Sequence, residues 1–182
     1  MARGISALHA AGIAHADIKS QNILIMHSGR AVIGDLGTAE FLPKSGMVRM
    51  QPCESDYPYW APEYKTKGIM SRSADVYCYG IMLIELVVGR TMYSETSLFT
   101  EPIKALVADG RDTFMKNSWG GGVRDTVLRL AARCLQPCRF ERPDADACIS
   151  VFSGGGDVST PTPSAKRKRD VVEGRSARAI GV

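Results

Sequence analysis

His15-Ala16-Asp17-Ile18-Lys19-Ser20-Gln21-Asn22, followed thirteen residues after Asn22 by Asp35-Leu36-Gly37, is the stretch from which this chain is best read. Residues 14–22 are polar and read as a loop. The segment that follows has a different character. Ile23-Leu24-Ile25-Met26 and Ala31-Val32-Ile33 bracket His27-Ser28-Gly29-Arg30, which reads as a hairpin with a glycine-containing turn. A hairpin there brings Asn22 and Asp35, at its two ends, back near one another. Two oxygen-bearing side chains in that position suit Mg2+, which takes few protein ligands and completes its shell with phosphate and water oxygens. Asp17 and Lys19, two apart in a loop, can point to the same side. The carboxylate can orient a hydroxyl, and the ammonium can neutralise a phosphate in flight. The set describes in-line phosphoryl transfer, in which positioning and charge supply most of the catalysis.

Upstream, Ile5, Leu8 and the small Ala11 and Gly12 predict a helix over residues 2–12 that ends at Gly12. Downstream, Pro43, Gly46, Pro52, Pro58 and Pro62 punctuate a long segment from Asp35 to about Glu63 that reads as irregular. Ser71 or Ser73 can then cap a helix from Ala74 to Val88 that is apolar nearly all round and stops at Gly89. Such a helix belongs at the centre of a domain. Further helices are expected near 100–109, 123–135 and 143–152. The fold class is therefore mainly α with a small β-hairpin.

The stretch from His15 to Asn22 is similar to the catalytic loop of eukaryotic-type protein kinases, and Asp35-Leu36-Gly37 resembles their metal-binding Asp-Phe-Gly motif. The resemblance continues in order. Ala61-Pro62-Glu63, preceded by Tyr59 and Trp60, resembles the motif that closes the activation segment; Asp75-Val76-Tyr77-Cys78-Tyr79-Gly80 resembles the start of the central buried helix. Cys134-Leu135-Gln136-Pro137 through Arg142-Pro143 resembles the closing helices. The resemblance covers residues 1 to about 152 and implies the kinase large lobe, with the small lobe absent. It is closest to the tyrosine-kinase-like group of Ser/Thr kinases, and Lys19 two residues after Asp17 is typical of Ser/Thr-type loops.

The resemblance implies ATP and Mg as cofactors and a protein substrate. Asp17 would be the catalytic base and Lys19 would contact the transferred phosphate. Asn22 and Asp35 would hold magnesium, and Leu24 would floor the adenine pocket. Asp75 would brace the loop from below, Glu63 and Arg142 would form a buried structural ion pair, and His15 would be a packed structural histidine. His9 and His27 carry no visible role. Taken singly, Asp17 and Asp35 would pass for solvated carboxylates, so the weight rests on several motifs in order.

Ala16 stands where kinases usually have an Arg that receives an activation-loop phosphate, and Leu36 replaces Phe. Asp56, or Ser55 if the alignment slips by one, falls where a Thr usually bonds the catalytic Asp and Lys. The Gly-rich loop and the strand Lys with its helix Glu partner belong upstream in the family. Weak ATP binding by this chain alone is therefore expected, as is an apolar face for a missing or separate small lobe. A non-catalytic kinase-like interaction module is the alternative function, and a truncated gene product is a third reading.

Composition agrees with one domain and a tail. The chain has 182 residues and a net charge of +4, of which residues 153–182 carry +3 through six Lys/Arg against three Asp/Glu. The body has no basic face for nucleic acid, and Val76 to Ile84, the longest apolar run, is far too short to span a membrane. Residues 153–182, with Gly154-Gly155-Gly156, Pro161, Pro163 and Lys166-Arg167-Lys168-Arg169, read as a disordered basic tail, either a nuclear localisation signal or plainly solvated. Five scattered cysteines and no signal core point to reduced thiols and a cytoplasmic location. Cys134 and Cys138 lack a second pair at metal-ligand spacing and read as buried thiols on helices.

Overall fold

The computed structural model describes residues 1–51, 57–89, 91 and 122–153. The expected helix near 100–109, the cysteine at 53, Ser55, Asp56 and the tail from 154 onward lie outside the described residues.

Helix α1 (Ala2–Ala10) buries Ala2, Ile5 and His9, a spacing that places all three on one face. Gly12, at φ 77°, turns the chain out of it, as its lack of a Cβ permits. Strand β1 (Ile13–Ala14) and a 3-10 turn (Ser20–Asn22) flank the loop that carries Asp17. The predicted hairpin forms from β2 (Ile23–Ile25) and β3 (Ala31–Ile33), paired antiparallel with Leu24 opposite Val32.

The segment from Asp35 to Glu63 is less irregular than its punctuation implies. Strand β4 (Glu40–Phe41) pairs with β1, and β5 (Met47–Arg49) pairs with β6 (Ile69–Ser71). Each is two or three residues long, too short for an alternating pattern to register. They fasten the segment to the body at two points, and Leu42 N–H adds a bond of 2.7 Å to the Gly12 carbonyl. The β content is thus three two-stranded antiparallel sheets among the described residues rather than one hairpin.

Helix α2 (Pro62–Lys67) starts on a proline, whose fixed φ suits the first helical turn, and ends at Gly68 in the left-handed region. Helix α3 (Arg72–Val88) follows, with thirteen of its seventeen residues buried, so it runs through the middle of the fold as its all-round apolarity predicts. Ser71 occupies the cap position, yet its side chain makes no capping bond and its Oγ is buried without a hydrogen-bond partner among the described residues.

Helix α4 (Val123–Cys134) packs a stripe of Val127, Leu128, Leu130, Ala131 and Cys134 onto the core. Gly80 on α3 permits the close approach, because a Cβ there would stand 2.8 Å from Cys134 Cβ. Helix α5 (Ala145–Ser150) is capped by Asp144, whose Oδ1 accepts from Ala147 N–H at 2.8 Å, and it packs against α1. Cys134 is buried on a helix as expected. Cys138 is not: it is exposed in the turn beyond the end of α4.

The core joins Ile5, Ile18, Tyr59, Ile81, Ile84, Val87 and Leu130 around α3. Among the described residues no helix is long and apolar enough to cross a membrane.

Candidate active site

The loop between β1 and the 3-10 turn hangs from one buried carboxylate. Asp75, in the first turn of α3, is wholly buried and accepts from His15 N–H at 2.8 Å, Ala16 N–H at 2.9 Å and His9 Nε2 at 2.9 Å. Two adjacent backbone amides are thereby aimed at one side chain, which requires an unusual backbone. Ala16 takes φ 66°, a left-handed value that a non-glycine residue keeps only when its surroundings impose it.

His15 completes the support. Its ring is fully buried; Asp17 N–H donates to Nδ1 at 3.3 Å, while Nε2 is 3.0 Å from the Gly34 carbonyl. Since Nδ1 accepts, the proton belongs on Nε2, where it is given to Gly34. His15 therefore ties the loop to the residue just before Asp35. Thr38 Oγ1 adds a bond to the His15 carbonyl at 3.2 Å.

Above this support, Asp17, Lys19 and Asn22 meet. Lys19 Nζ lies 2.5 Å from Asp17 Oδ2, with the two side chains 21% and 20% exposed, so the pair remains open to solvent on one side. Asn22 is buried, and its amide nitrogen donates both to the Asp17 carbonyl at 2.8 Å and to Asp17 Oδ2 at 2.9 Å. Both amide hydrogens are thereby spent, so the Asn22 oxygen is left as the acceptor end of the side chain.

Asp35 is brought alongside through the backbone rather than by a side-chain contact. Gly34 N–H bonds to the Asn22 carbonyl at 2.8 Å, closing the hairpin at its open end. Asp35 itself is exposed, takes φ 58°, and its Oδ1 accepts from Gly37 N–H at 3.3 Å. Aspartate is among the few side chains that tolerate that backbone region.

No group of three or more His, Cys, Asp or Glu among the described residues could hold a metal ion by its own side chains. The donors present, an amide oxygen and a carboxylate with a lysine nearby, fit a hard cation shared with phosphate oxygens. Leu24 stands apart from this group, 57% exposed on the hairpin, where Ile25, Met26 and Val32 are exposed with it, as is Leu36 just beyond. A cavity of about 760 Å³ opens beside them, lined by Gly4, Leu8, Arg30, Val32 and Leu36 among others; Asp17, Lys19 and Asn22 do not line it.

The Glu63–Arg142 pair lies below, in contact through two parallel hydrogen bonds of 2.7 and 2.8 Å. Tyr59, 1% exposed, donates its hydroxyl to Glu85 of α3 and lies 3.5 Å from Ser20 Oγ next to Lys19. Burial first, and then the bond to Glu85, push the Tyr59 phenol well above its ordinary range. Sequence reasoning missed two members of this support. Glu85 reads only as an interruption in an apolar run. His9 was given no role, yet a polar ring on the Ala2-Ile5-His9 face must bury itself against a partner, and Asp75 is that partner.

The chain matches the protein kinase domain family over residues 1–151. It is 30% identical over 165 residues to the receptor-like cytosolic serine/threonine-protein kinase RBK1 of Arabidopsis thaliana, covering 85% of this chain and 35% of that protein. It is 31% identical over 158 residues to the calmodulin-binding receptor-like cytoplasmic kinase 2 of the same plant, covering 78% of this chain and 38% of the relative. Receptor protein kinase WSS1 of Oryza sativa subsp. japonica is 29% identical over 189 residues, covering 89% of this chain and 19% of the relative. The chain thus spans well under half the length of each of these curated relatives. With the match running from Met1 to Val151, this chain belongs to the protein kinase domain family.

Proposed function

We propose that residues 1–152 form the large lobe of a Ser/Thr protein kinase, which transfers the γ-phosphate of ATP to a protein hydroxyl. The observation that carries the reading is the grip on Asp17. One of its oxygens meets both Lys19 Nζ at 2.5 Å and Asn22 Nδ2 at 2.9 Å, on a loop suspended from Asp75. A carboxylate held so firmly can receive a substrate hydroxyl and accept its proton without reorganising.

In this reading Asp17 is the catalytic base, and Lys19 neutralises charge on the transferred phosphate. Asn22, through its uncommitted oxygen, and Asp35, through its exposed carboxylate, hold magnesium. Mg·ATP, when bound, supplies the phosphoryl donor and neutralises charge on its phosphates. Leu24, exposed on the hairpin, floors the adenine site. The neighbouring exposed side chains Ile25, Met26, Val32 and Leu36 offer apolar surface for a small lobe to cover. His15, Asp75, Glu63 and Arg142 are structural. The relatives whose names call them cytosolic or cytoplasmic support a cytoplasmic location.

The test is phosphotransfer by the chain joined to a small lobe from a relative, with radiolabelled ATP and a generic protein acceptor. The reading predicts label on Ser or Thr and a loss of roughly a hundred- to ten-thousand-fold on Asp17→Asn. An unchanged rate in Asp17→Asn would defeat the assignment. A folded fusion with neither transfer nor a thermal shift on adding Mg·ATP would favour a kinase-like interaction module.

A further inference from the structure

Two buried thiols with no part in phosphoryl transfer face each other across the last two described helices. Cys134 ends α4, Cys148 lies within α5, and their Sγ atoms are 3.9 Å apart. The two residues are 0% and 1% exposed, and both are free thiols. A disulfide needs the sulfurs to close to roughly 2.05 Å, a movement that side-chain rotation can supply.

The two positions bracket residues 135–147, the loop that presents Arg142 to Glu63. Cys134 is fixed from behind, because it is pressed onto Gly80 of α3. Cys148 belongs to a helix of only six residues, held at its start by the Asp144 cap and by a bond of 2.6 Å from Ser6 Oγ to Asp146. The short helix is the part able to move.

We propose that Cys134 and Cys148 form a dithiol site that closes to an intramolecular disulfide and clamps the Arg142 loop at both ends. With glutathione disulfide as oxidant, Cys148 loses its proton and its thiolate attacks one glutathione sulfur. A mixed disulfide forms and the first glutathione leaves as a thiolate. The Cys134 thiolate then attacks the Cys148 sulfur, forming the protein disulfide and expelling the second glutathione. Two electrons pass from the protein thiols to the glutathione disulfide, and the two protons end on two glutathione thiols. Contact with Cys148 and burial push the Cys134 thiol up, and the buried pair meets the oxidant when α5 lifts. Exposed Cys138 reacts without that opening.

The test uses the full 182-residue chain equilibrated in glutathione buffers from reducing to oxidising, acid-quenched, alkylated after unfolding and mapped by mass spectrometry. The proposal predicts a Cys134–Cys148 cross-linked peptide, a chain lighter by two hydrogen atoms at this pair, and reversal by dithiothreitol. It also predicts a thermal midpoint higher by several degrees in the oxidised form, since the link shortens the freedom of the unfolded chain. Cys138→Ser keeps the cross-link and the rise, and Cys148→Ser loses the rise. Full alkylation of both Cys134 and Cys148 under oxidising conditions, or cross-links made only through Cys138, overturns it. Because the cross-link is read on the unaltered chain, a variant that fails to fold does not spare the proposal.

Discussion

Arg142 donates all five of its guanidinium hydrogens, and Glu63 takes two of them. Nη1 bonds Glu63 Oε1 at 2.7 Å and the Ser73 carbonyl at 2.9 Å; Nη2 bonds Glu63 Oε2 at 2.8 Å and the Pro137 carbonyl at 3.2 Å. Nε takes the Gln136 carbonyl at 2.8 Å. A single side chain therefore joins α2, the start of α3 and the loop after α4. Lysine cannot reproduce this, because it lacks the planar fork.

Arg142→Ala leaves Glu63 and three carbonyls without their partner. It should cost about 3–5 kcal/mol, as removal of one member of a buried ion pair does. Urea unfolding followed by circular dichroism measures it. Arg142→Lys should recover less than half of the loss.

Asp75 offers a second test, since it gathers two backbone amides and the His9 ring. Asp75→Ala strands those donors in the interior and should cost about 3 kcal/mol or more. Asp75→Asn, which turns an amide N–H toward a donor, should cost about 2 kcal/mol. Both are read from urea midpoints. In the fused kinase, either change should lower phosphotransfer although Asp17 itself is unaltered, because the loop that carries it loses its support.

Gly80→Ala should destabilise by about 1–3 kcal/mol through overpacking, because the new methyl meets Cys134 Cβ at 2.8 Å and Leu135 Cγ at 3.0 Å. Neither neighbour is the far end of a flexible side chain. Thermal melts of the two proteins decide it, and an unchanged midpoint would mean that α4 yields freely.

Alkaline pH should unfold the chain. Burial raises the Cys78 thiol well above its ordinary 9.0, with help from the carboxylates of Asp75 and Asp17. Burial likewise raises the Tyr59, Tyr77 and Tyr79 phenols above 10.0. Above those values the unfolded chain releases protons that the folded one retains. Stability is therefore full below about pH 9 and falls as pH rises beyond it. Melting temperatures between pH 7 and 11 should decline from about 9 upward, with tyrosinate absorbance appearing together with unfolding rather than before it.

Much of this arrangement is legible in the residues alone. The Ile23–Ile33 hairpin declares itself by two apolar runs around a glycine turn, and α3 by a run that is apolar on every side. That Asp17 and Lys19 share a side follows from their spacing in one short loop, whereas the Asn22 bonds to Asp17 are set by the 3-10 turn and carry no signal in the sequence. The β1–β4 and β5–β6 pairings escape because a strand of two or three residues carries no period, and tertiary contacts decide it. His9 escapes because its role depends on a residue 66 positions away. Cys138 departs from expectation because α4 stops at Cys134, and Leu135 to Arg142 turn outward to let Arg142 reach back.

The central claim is that Asn22 and Asp35 share a cation with the phosphates of ATP. The most direct measurement replaces Mg2+ by paramagnetic Mn2+ together with ATP and follows line broadening in the nuclear magnetic resonance spectrum of the isotope-labelled chain joined to a small lobe from a relative. The account predicts that the Asn22 side-chain amide and the Asp35 and Gly37 backbone signals broaden first, and that Asp35→Ala removes the effect. Signals of Asn22 and Asp35 that stay as sharp as that of Gly29, in the turn at the far end of the hairpin, would contradict it.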